Sequence, residues 1–353
     1  MIPVFDGHND LLLRLHNLPA QRQAIWSGTE GKGQLDLPRM KSGGFAGGFF
    51  AIYIPSPAGA NAPDLAALDR MMSSPPFALP LPAPVPLELA QPVALDMTGH
   101  LFALERTGTL SICRSVADIR AAMAGGRIAA ILHMEGAEAI DENLDALHVW
   151  HALGLRSLGP VWSRPTLFGH GVPFQFPATP DTGPGLTDAG KRLIRECNAL
   201  KIMIDLSHLN EKGFDDVAHL SDAPLVATHS NAHAVTPSTR NLTDRQLAVI
   251  RESKGMVGLN FATVFLDPSG RRSPFHGWDP VLRHLDHLLD KLGEDHVGLG
   301  SDFDGAEMPA DLVDVAGLPR LLGALKAHGY GDALLRKLAH ENWLALLMRT
   351  WGG

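Results

Sequence analysis

The sequence predicts an α/β fold, a (β/α)8 barrel of the TIM type, and three observations lead to it. Eight short apolar runs, centred near residues 2, 48, 130, 157, 204, 226, 258 and 298, have the length and composition of strands. Most runs alternate little between apolar and polar residues, as parallel strands buried on both faces do. The later runs alternate with segments of helical spacing, and eight such units indicate a barrel. The main alternative, a doubly wound open sheet, predicts a Gly-rich phosphate loop early in the chain, and the sequence has none.

The other elements follow from helical spacing and from residues that begin and end helices. Residues 55–92 are proline-rich, and we expect a long insertion loop of the kind that often covers a site. Ser115 and Asp118 have the spacing of a capping box, and Gly125-Gly126 ends that helix. Helices are predicted at Leu11–Leu18 (or a loop), Asp64–Met72, Val93–Arg106, Ser115–Ala124, Asp141–Leu153, Thr187–Leu200, Asn210–Leu220, Thr243–Ser253 and Pro280–Leu292, and from residue 300 to Met348.

Length, charge and cysteine content limit the class of protein. A chain of 353 residues, 45% of them hydrophobic, is compatible with one barrel domain over residues 1–353. The net charge of −8 argues against a nucleic-acid or anionic-membrane surface. Cys113 and Cys197 lack metal or redox spacing, so we interpret them as buried thiols in a reducing cytoplasm.

The chain also lacks recognisable membrane segments. Its first residues do not have the basic region and long apolar core of a signal peptide, and cleavage would remove His8 and Asp10. The weakly charged segment 78–97 contains five prolines, which should interrupt a membrane-spanning helix. We therefore expect a cytoplasmic protein without a membrane anchor.

Polar side chains follow five of the eight predicted strands. The C-terminal strand ends of an α/β barrel are where its function lies. The residues found there are His8 and Asp10 after the first strand, His133 and Glu135 after the third, Asp205 and His208 after the fifth, His229 after the sixth, and Asp302 and Asp304 after the eighth.

These residue types suit a site for two metal ions. His8 and Asp10 lie two residues apart, so an extended chain directs both to one face, and imidazole and carboxylate groups suit a divalent ion such as zinc. Three histidines and two carboxylates (His8, His208, His229, Asp10 and Glu135) are enough for two ions if one carboxylate bridges them. Glu135 is the best bridging residue, because its side chain is long and Gly136 leaves room. Two such ions activate a shared water, and Asp302 would shuttle its proton.

Other polar residues have plainer interpretations. His133 should support the ligands from behind, and Asp205 should support His208 or cap a turn. Asp304 is either a turn-forming residue or a supporting one. His284 repeats the His-x-Asp spacing without a preceding strand, and we expect it at the surface or packed on a helix.

Six ordered motifs carry a resemblance to a known family. They are Asp6–Asp10, His133–Gly136, Asp205–His208, Thr228–Asn231, Thr239–Asp244 and Gly300–Gly305, with Glu341-Asn342-Trp343 near the end. Together they resemble the membrane (renal) dipeptidase family, in the form of a bacterial-type soluble member. The resemblance implies two zinc ions per chain, one held by His8 and Asp10, the other by His208 and His229, with Glu135 bridging.

The resemblance also implies substrates and roles. Arg240 would bind the carboxylate of a dipeptide as a planar bidentate donor. A metal-bridging hydroxide would attack the single peptide bond, and Asp302 would pass the proton to the leaving amine. Family members accept dipeptides, commonly L-Xaa-D-Xaa, and some open β-lactam rings. A homo-oligomer is compatible with this assignment.

One position departs from the family pattern. Many members have Leu-Thr-His after the fourth strand, where that histidine contacts the substrate, whereas this chain has Pro160-Val161-Trp162. We therefore assign substrate contact to Trp162 or to His170, which lies eight residues later in a Gly-rich loop.

Two alternative functions remain. Another binuclear-metal barrel hydrolase, acting on an ester, lactone or cyclic amide, typically has His-x-His on the first strand and often a lysine on the fourth. This chain has His8 and Asp10 and no lysine at 155–162. A non-catalytic binding protein on the same scaffold would be expected to have lost a ligand or Asp302, and all are present.

Overall fold

The apolar runs form parallel strands that close into a barrel in the computed structural model, which describes residues 1–57 and 64–352. The strands are β1 Val4–Asn9, β2 Phe45–Tyr53, β3 Phe77–Ala78, β4 Leu110–Ile112, β5 Ile128–Glu135, β6 Leu155–Gly159, β7 Gln175–Phe176, β8 Met203–Ile204, β9 Val226–Ala227, β10 Met256–Leu259 and β11 Val297–Leu299. Hydrogen bonds join eight of them in the order β8-β6-β5-β2-β1-β11-β10-β9. A parallel bridge between Asp205 and Val226 brings the two ends of this order together. The predicted (β/α)8 barrel is confirmed.

Helices connect the strands, and the helices predicted from Asp64, Ser115, Thr187, Asn210 and Thr243 have these residues as N-caps. Ser115 and Asp118 form the expected capping box, and Thr243 forms another with Gln246. The α-helices are α1 Leu11–Asn17, α2 Arg22–Ser27, α3 Leu37–Gly43, α4 Leu65–Met72, α5 Leu87–Arg106, α6 Val116–Ala124, α7 Asp145–Leu153, α8 Asp188–Ala199, α9 Glu211–Leu220, α10 Asp244–Glu252, α11 Thr263–Leu266, α12 Asp279–Leu292, α13 Leu318–His328, α14 Asp332–Arg336 and α15 Asn342–Trp351. Short 3-10 turns cover Pro19–Gln21 and Val315–Gly317, and a π-helical turn covers Lys337–Glu341.

The proline-rich insertion is more ordered than a loop. Its residues 58–63 lie outside the described residues. The described remainder contains α4, and β3 pairs antiparallel with β7 through Phe77 and Phe176. The last part of the segment already belongs to α5, which contains Pro92. Prolines therefore do not exclude helix from all of 78–97, because one proline near the start of a long helix removes only one backbone hydrogen bond.

Two further expectations were wrong in detail. The chain from residue 300 to residue 314 is not helical, because it turns back over the barrel mouth before Val315–Gly317 begins the final helices. His284 is fully buried in α12, so the surface alternative is wrong and the alternative of a residue packed on a helix holds. Its Nδ1 accepts a hydrogen bond from the Ala232 N–H at 3.1 Å, and its Nε2 lies 3.1 Å from the Thr236 hydroxyl.

A tryptophan from the last helix fills the barrel interior. Trp343 is fully buried, and its indole N–H donates to the Leu299 carbonyl at 2.9 Å. A Cβ added to Gly7 would lie 2.6 Å from the ring, and one added to Gly298 would lie 2.8 Å from it. Because these glycines have no side chain, the Trp343 ring packs directly against the strands that carry His8 and the motif after β11.

None of the described helices is long and apolar enough to cross a membrane. Cys113 and Cys197 are both buried and free within the described ranges, as expected.

Candidate metal centre and active site

Five predicted ligands meet at the C-terminal end of the barrel. Glu135 Oε1 lies 2.9 Å from His208 Nε2, 3.4 Å from His229 Nε2 and 3.7 Å from His8 Nε2. Asp10 Oδ2 lies 3.4 Å from the same His8 nitrogen, Nε2. All five side chains are at most 5% exposed. The structure thus brings together residues that are up to 221 positions apart, since His8 and His229 stack with ring centroids 3.9 Å apart.

The first strand delivers its two residues as expected. β1 continues through His8 to Asn9, and the Asn9 amide donates to the Phe49 carbonyl at 3.1 Å. Asp10 then precedes α1, and its N–H donates to the Phe303 carbonyl at 2.8 Å. The strand end is therefore held between its two neighbours, which fixes the direction of both side chains.

Hydroxyl groups orient two of the imidazoles. His208 Nδ1 lies 2.9 Å from the Ser163 hydroxyl. His229 Nδ1 lies 2.8 Å from the Thr228 hydroxyl, which donates to Asp205 Oδ2 at 2.7 Å. Because that hydroxyl donates to Asp205, it accepts from His229 Nδ1–H, and the Nε2 lone pair faces Glu135.

Asp205 and His133 both act from behind the ligands. Asp205 caps the turn after β8 by accepting from the Ser207 N–H at 3.1 Å, and through Thr228 it supports His229 and not His208. His133 donates to or accepts from the Ser157 hydroxyl at 2.8 Å, and its ring meets the His8 ring edge-on at 5.6 Å. His133 therefore supports the ligand set, as its position two residues before Glu135 predicts.

Burial is the largest influence on the pKa values in the site. It lowers the pKa of His208 and His229 well below the usual value, so both rings are neutral, the form that binds metal. It raises the pKa of Glu135. Burial also opposes a charge on His8, but the Glu135 and Asp10 carboxylates outweigh it and raise the His8 pKa to about 10. The carboxylates thus favour positive charge at this point.

The donor set fits divalent metal ions. Both ring nitrogens of His8 are buried without a hydrogen-bond partner among the described residues. Ligand atoms of His8, Glu135 and His229 all lie within 4.8 Å of one another, and so do those of His8, Asp10 and Asp302. Neutral imidazoles and carboxylates around one buried point are the ligands that zinc and similar ions bind.

Asp302 lies beside Asp10 at the edge of the ligand set. Its backbone is left-handed, with φ +64°, and Asn260 Nδ2 donates to Asp302 Oδ2 at 2.9 Å. A Cβ added to Gly305 would lie 2.1 Å from Asp10 Oδ2 and 2.6 Å from Asp302 Oδ1, so a side chain there would displace both carboxylates. Burial raises the pKa of Asp302, which favours a carboxyl group that can hold and release a proton.

Asp304 is a structural residue. Its backbone is also left-handed, with φ +64°. Its carboxylate, however, is used in structural hydrogen bonds, because Oδ1 accepts from the Gln34 N–H at 2.6 Å and Oδ2 accepts from Arg14 at 3.3 Å. These bonds tie the loop after β11 to the segment before α3, and they leave Asp304 outside the cavity that contains Asp302.

A cavity of about 360 Å³ opens onto the ligands, and Arg240 forms part of its wall. Arg240 is 2% exposed, and its guanidinium donates to the Ser207 carbonyl and, at 3.1 Å, to the His229 carbonyl. Its Nε has no hydrogen-bond partner in the described structure. The guanidinium carbon lies 5.3 Å from the centre of the Phe265 ring. Arg240 is therefore held in place by two backbone carbonyls and brings a guanidinium group to the cavity wall.

Trp162 and His170 have different positions. Trp162 lines the cavity, with its ring 5.9 Å from His208 and 5.7 Å from Phe174. His170 does not line it, and its Nδ1 lies 3.4 Å from the Gly185 carbonyl. The loop itself lies next to the site, because Gly171 pairs with Leu209, but the His170 ring is turned toward Gly185 and does not reach the cavity.

Several residues of the site were missed in the sequence. Tyr53 ends β2 and lines the cavity, and Asn260 follows β10 and donates to Asp302, so a search of all eight strand ends would have found both. Asp69 of α4 forms an ion pair with Arg272 across the cavity mouth. No local signal predicts that pair, because its members lie 203 residues apart.

Comparison with known proteins agrees with this geometry. The family model described as membrane dipeptidase (peptidase family M19) matches residues 1–350. A crystal structure of a metallo peptidase from Rhodobacter sphaeroides, liganded with a phosphinate mimic of the dipeptide L-Ala-D-Ala, is 69% identical, covers 99% of both chains and has a TM-score of 0.97. The structure of a dipeptidase, also described as a metallo peptidase of family M19, is 68% identical, covers 100% of this chain and 99% of its own, and has a TM-score of 0.97.

A relative from Klebsiella pneumoniae, described as an uncharacterized protein in the pqqA 5' region, is 51% identical over 244 residues, which are 69% of this chain and 90% of the relative. The expected resemblance to the renal dipeptidase family is confirmed by the match over nearly the whole chain. The chain belongs to the membrane dipeptidase family, peptidase family M19, and is a metallo-dipeptidase.

Proposed function

We propose that this chain is a zinc dipeptidase that holds two ions per chain and hydrolyses dipeptides of the L-Xaa-D-Xaa class. The observation that carries the proposal is the convergence of three imidazole Nε2 atoms on Glu135 Oε1 within 3.7 Å. The L-Ala-D-Ala mimic bound by the Rhodobacter sphaeroides relative supports the substrate class.

In this proposal the ligands divide into two groups around Glu135. His8 and Asp10 would hold one ion, His208 and His229 would hold the other, and Glu135 would be shared between them. Such ions would supply Lewis acidity for the peptide carbonyl and a lowered pKa for the attacking water. The neutral imidazoles and the Thr228–His229 hydrogen bond keep the ligand lone pairs directed inward.

Asp302 moves the proton. Its carboxylate takes the proton of the attacking water and gives it to the nitrogen of the leaving amine. The Asn260 amide holds one oxygen at 2.9 Å and so directs the other toward the ligands. Burial raises the Asp302 pKa, which matches a group that must be protonated in one step and ionised in another.

Arg240 binds the C-terminal carboxylate of the substrate, and Trp162 forms an apolar wall beside it. Arg240 is buried, positively charged and part of the cavity wall. Trp162 packs against Tyr53 with ring centroids 5.0 Å apart, which makes this side of the cavity rigid and apolar. A planar cation at the end of a short cavity suits a free carboxylate and favours dipeptides over longer peptides.

We also propose that residues 1–353 act as one domain in the cytoplasm. Pairing of Asp6 in β1 with Leu299 in β11 joins the two ends of the chain in one sheet, and two free buried thiols suit a reducing compartment. A homo-oligomer remains compatible with these features.

Metal analysis combined with a dipeptide panel tests the function. We expect two zinc ions per chain and hydrolysis of L-D dipeptides in preference to L-L and D-D ones. Less than one metal per chain, together with no dipeptide hydrolysis, would remove the proposal.

Dipeptide amides test the role of Arg240. Arg240→Ala should raise KM sharply for dipeptides and less for the amides, because the amides lack the carboxylate. Equal losses on both substrates would remove the assigned role.

A further inference from the structure

Two histidines and an aspartate meet on the outside of the barrel, between α1 and α5. His16 Nδ1 lies 2.6 Å from Asp96 Oδ2, and His100 Nε2 lies 2.9 Å from the same oxygen. Ligand atoms of the three residues lie within 4.8 Å of one another. None of the three lines the active-site cavity, so the group is separate from the catalytic centre.

We propose that His16, Asp96 and His100 form a second metal site, for a divalent transition ion such as Zn²⁺. Two imidazoles and a carboxylate are the donors that such ions select. Asp96 and His100 lie one turn apart on α5, so the helix holds them on one face, and His16 reaches them from the last turn of α1. This proposal is independent of the proposed function.

The exposure of the three side chains suits an exchangeable ion. Asp96 is 37% exposed, His16 26% and His100 10%. An ion can therefore enter from solvent, and water can complete its coordination beside three protein ligands. The last turn of α1 would then be joined to α5, and α1 begins directly after Asp10.

Arg22 opposes the ion. Its guanidinium donates to Asp96 Oδ2 at 3.3 Å and to the Leu15 carbonyl at 2.9 Å. A positive charge beside the ligand oxygen weakens cation binding and must turn away from it when the ion enters. Removing the arginine should therefore strengthen metal binding. If the three residues formed only an ion-pair network, the same change would weaken that network.

Equilibrium dialysis of the holoenzyme against Zn²⁺ tests the proposal. With the barrel site already filled, wild type should bind one equivalent more than Asp96→Asn or the double variant His16→Asn/His100→Asn, and Arg22→Gln should bind that equivalent several-fold more tightly. The matched control is His276→Asn, which removes an exposed histidine whose Nδ1 lies 3.1 Å from Asp311 Oδ1. The control should bind as wild type does.

Anomalous scattering at the zinc edge tests the wild-type chain without any substitution. Crystals soaked in Zn²⁺ should give a peak between His16, Asp96 and His100 as well as at the barrel site. No peak there, equal zinc counts in all variants, or weaker binding by Arg22→Gln would overturn the proposal. The barrel peaks and dipeptide hydrolysis report on the catalytic site separately, so the two proposals fail independently.

Discussion

Replacing Asp302 with asparagine should stop proton transfer and leave the fold intact. The residue has φ +64°, and asparagine is the best tolerated side chain after glycine in that conformation. The new amide oxygen can still accept from Asn260 Nδ2, which now donates at 2.9 Å. The substitution therefore removes a titrating oxygen and little else.

The expected effect on rate is large. A positioned general acid–base group contributes about 10² to 10⁴ in rate, which is about 2.7 to 5.4 kcal/mol of activation free energy. The free energy of unfolding should change by no more than about 1 kcal/mol, because no buried donor loses its acceptor. We would measure kcat at saturating dipeptide, zinc per chain by elemental analysis, and urea unfolding.

Asp304→Asn is the matched control. It lies in the same loop with the same φ, but its carboxylate bonds to Gln34 and Arg14. Its loss of charge should cost roughly 1.5 to 3 kcal/mol of stability, as hydrogen bonds to charged groups do, with kcat near wild type. The reasoning on Asp302 fails if Asp302→Asn keeps kcat within fivefold of wild type at full zinc occupancy, or if both variants lose rate equally.

Three other perturbations have outcomes that the structure predicts. Gly305→Ala should lower kcat and zinc content, because its Cβ would lie 2.1 Å from Asp10 Oδ2. The control Gly323→Ala in α13 should keep both, because a Cβ there meets nothing within 4 Å. Equal activity in the two variants would contradict this prediction. Burial raises the pKa of Glu138 from its usual 4.5 to about 7, although the positive charge of Arg164 acts to lower it. The folded state then binds its proton more tightly than the unfolded state, so stability should fall by about 3 kcal/mol between pH 4.5 and 7. Glu138→Gln should flatten that part of the urea-unfolding profile, and an unchanged slope would refute the assignment. Chelating the barrel ions should lower the free energy of unfolding by about 4 kcal/mol for each ion, relative to free zinc at a thousand times its Kd. A melting temperature that is insensitive to chelator would exclude metal from the folded site.

The buried pair of Arg164 and Glu138 explains how the cavity wall is held. Arg164 is fully buried and donates to the Ile54 carbonyl at 2.6 Å and to the Ser56 hydroxyl at 3.0 Å. Its guanidinium carbon lies 5.2 Å from the centre of the Trp162 ring. One cation thus joins the end of β2, the start of the insertion and the Trp162 ring, so the apolar wall and the insertion are positioned together.

The two sides of the ligand set differ in charge. His208 and His229 are neutral because burial lowers their pKa, while Asp10 and Asp302 supply carboxylates on the side of His8 and Glu135 lies between the two groups. The Arg240 guanidinium donates to the His229 carbonyl, on the side of the neutral imidazoles. In the proposed binding mode, a dipeptide with its carboxylate at Arg240 would have its amino end toward Asp10 and Asp302, which matches the opposite charges at its two termini.

The eight barrel strands and the ligand set were predictable from the sequence. Each strand can be recognised from its local composition as an apolar run, and the barrel topology brings all strand ends to one face. The convergence of His8, Glu135, His208 and His229 can therefore be predicted before any of their contacts is known. Proline positions were less reliable, because tertiary packing of α5 accepts Pro92 inside a helix.

What the sequence by itself determined is which residues stand at the barrel mouth, since strand periodicity and strand order are enough for that. Only the tertiary structure decided what each of them contacts. It turned Asp304 onto Gln34 and Arg14, brought Trp162 but not His170 to the cavity, and paired Asp69 with Arg272. These outcomes depend on side-chain directions and on contacts between distant segments, and neither is encoded in any local pattern.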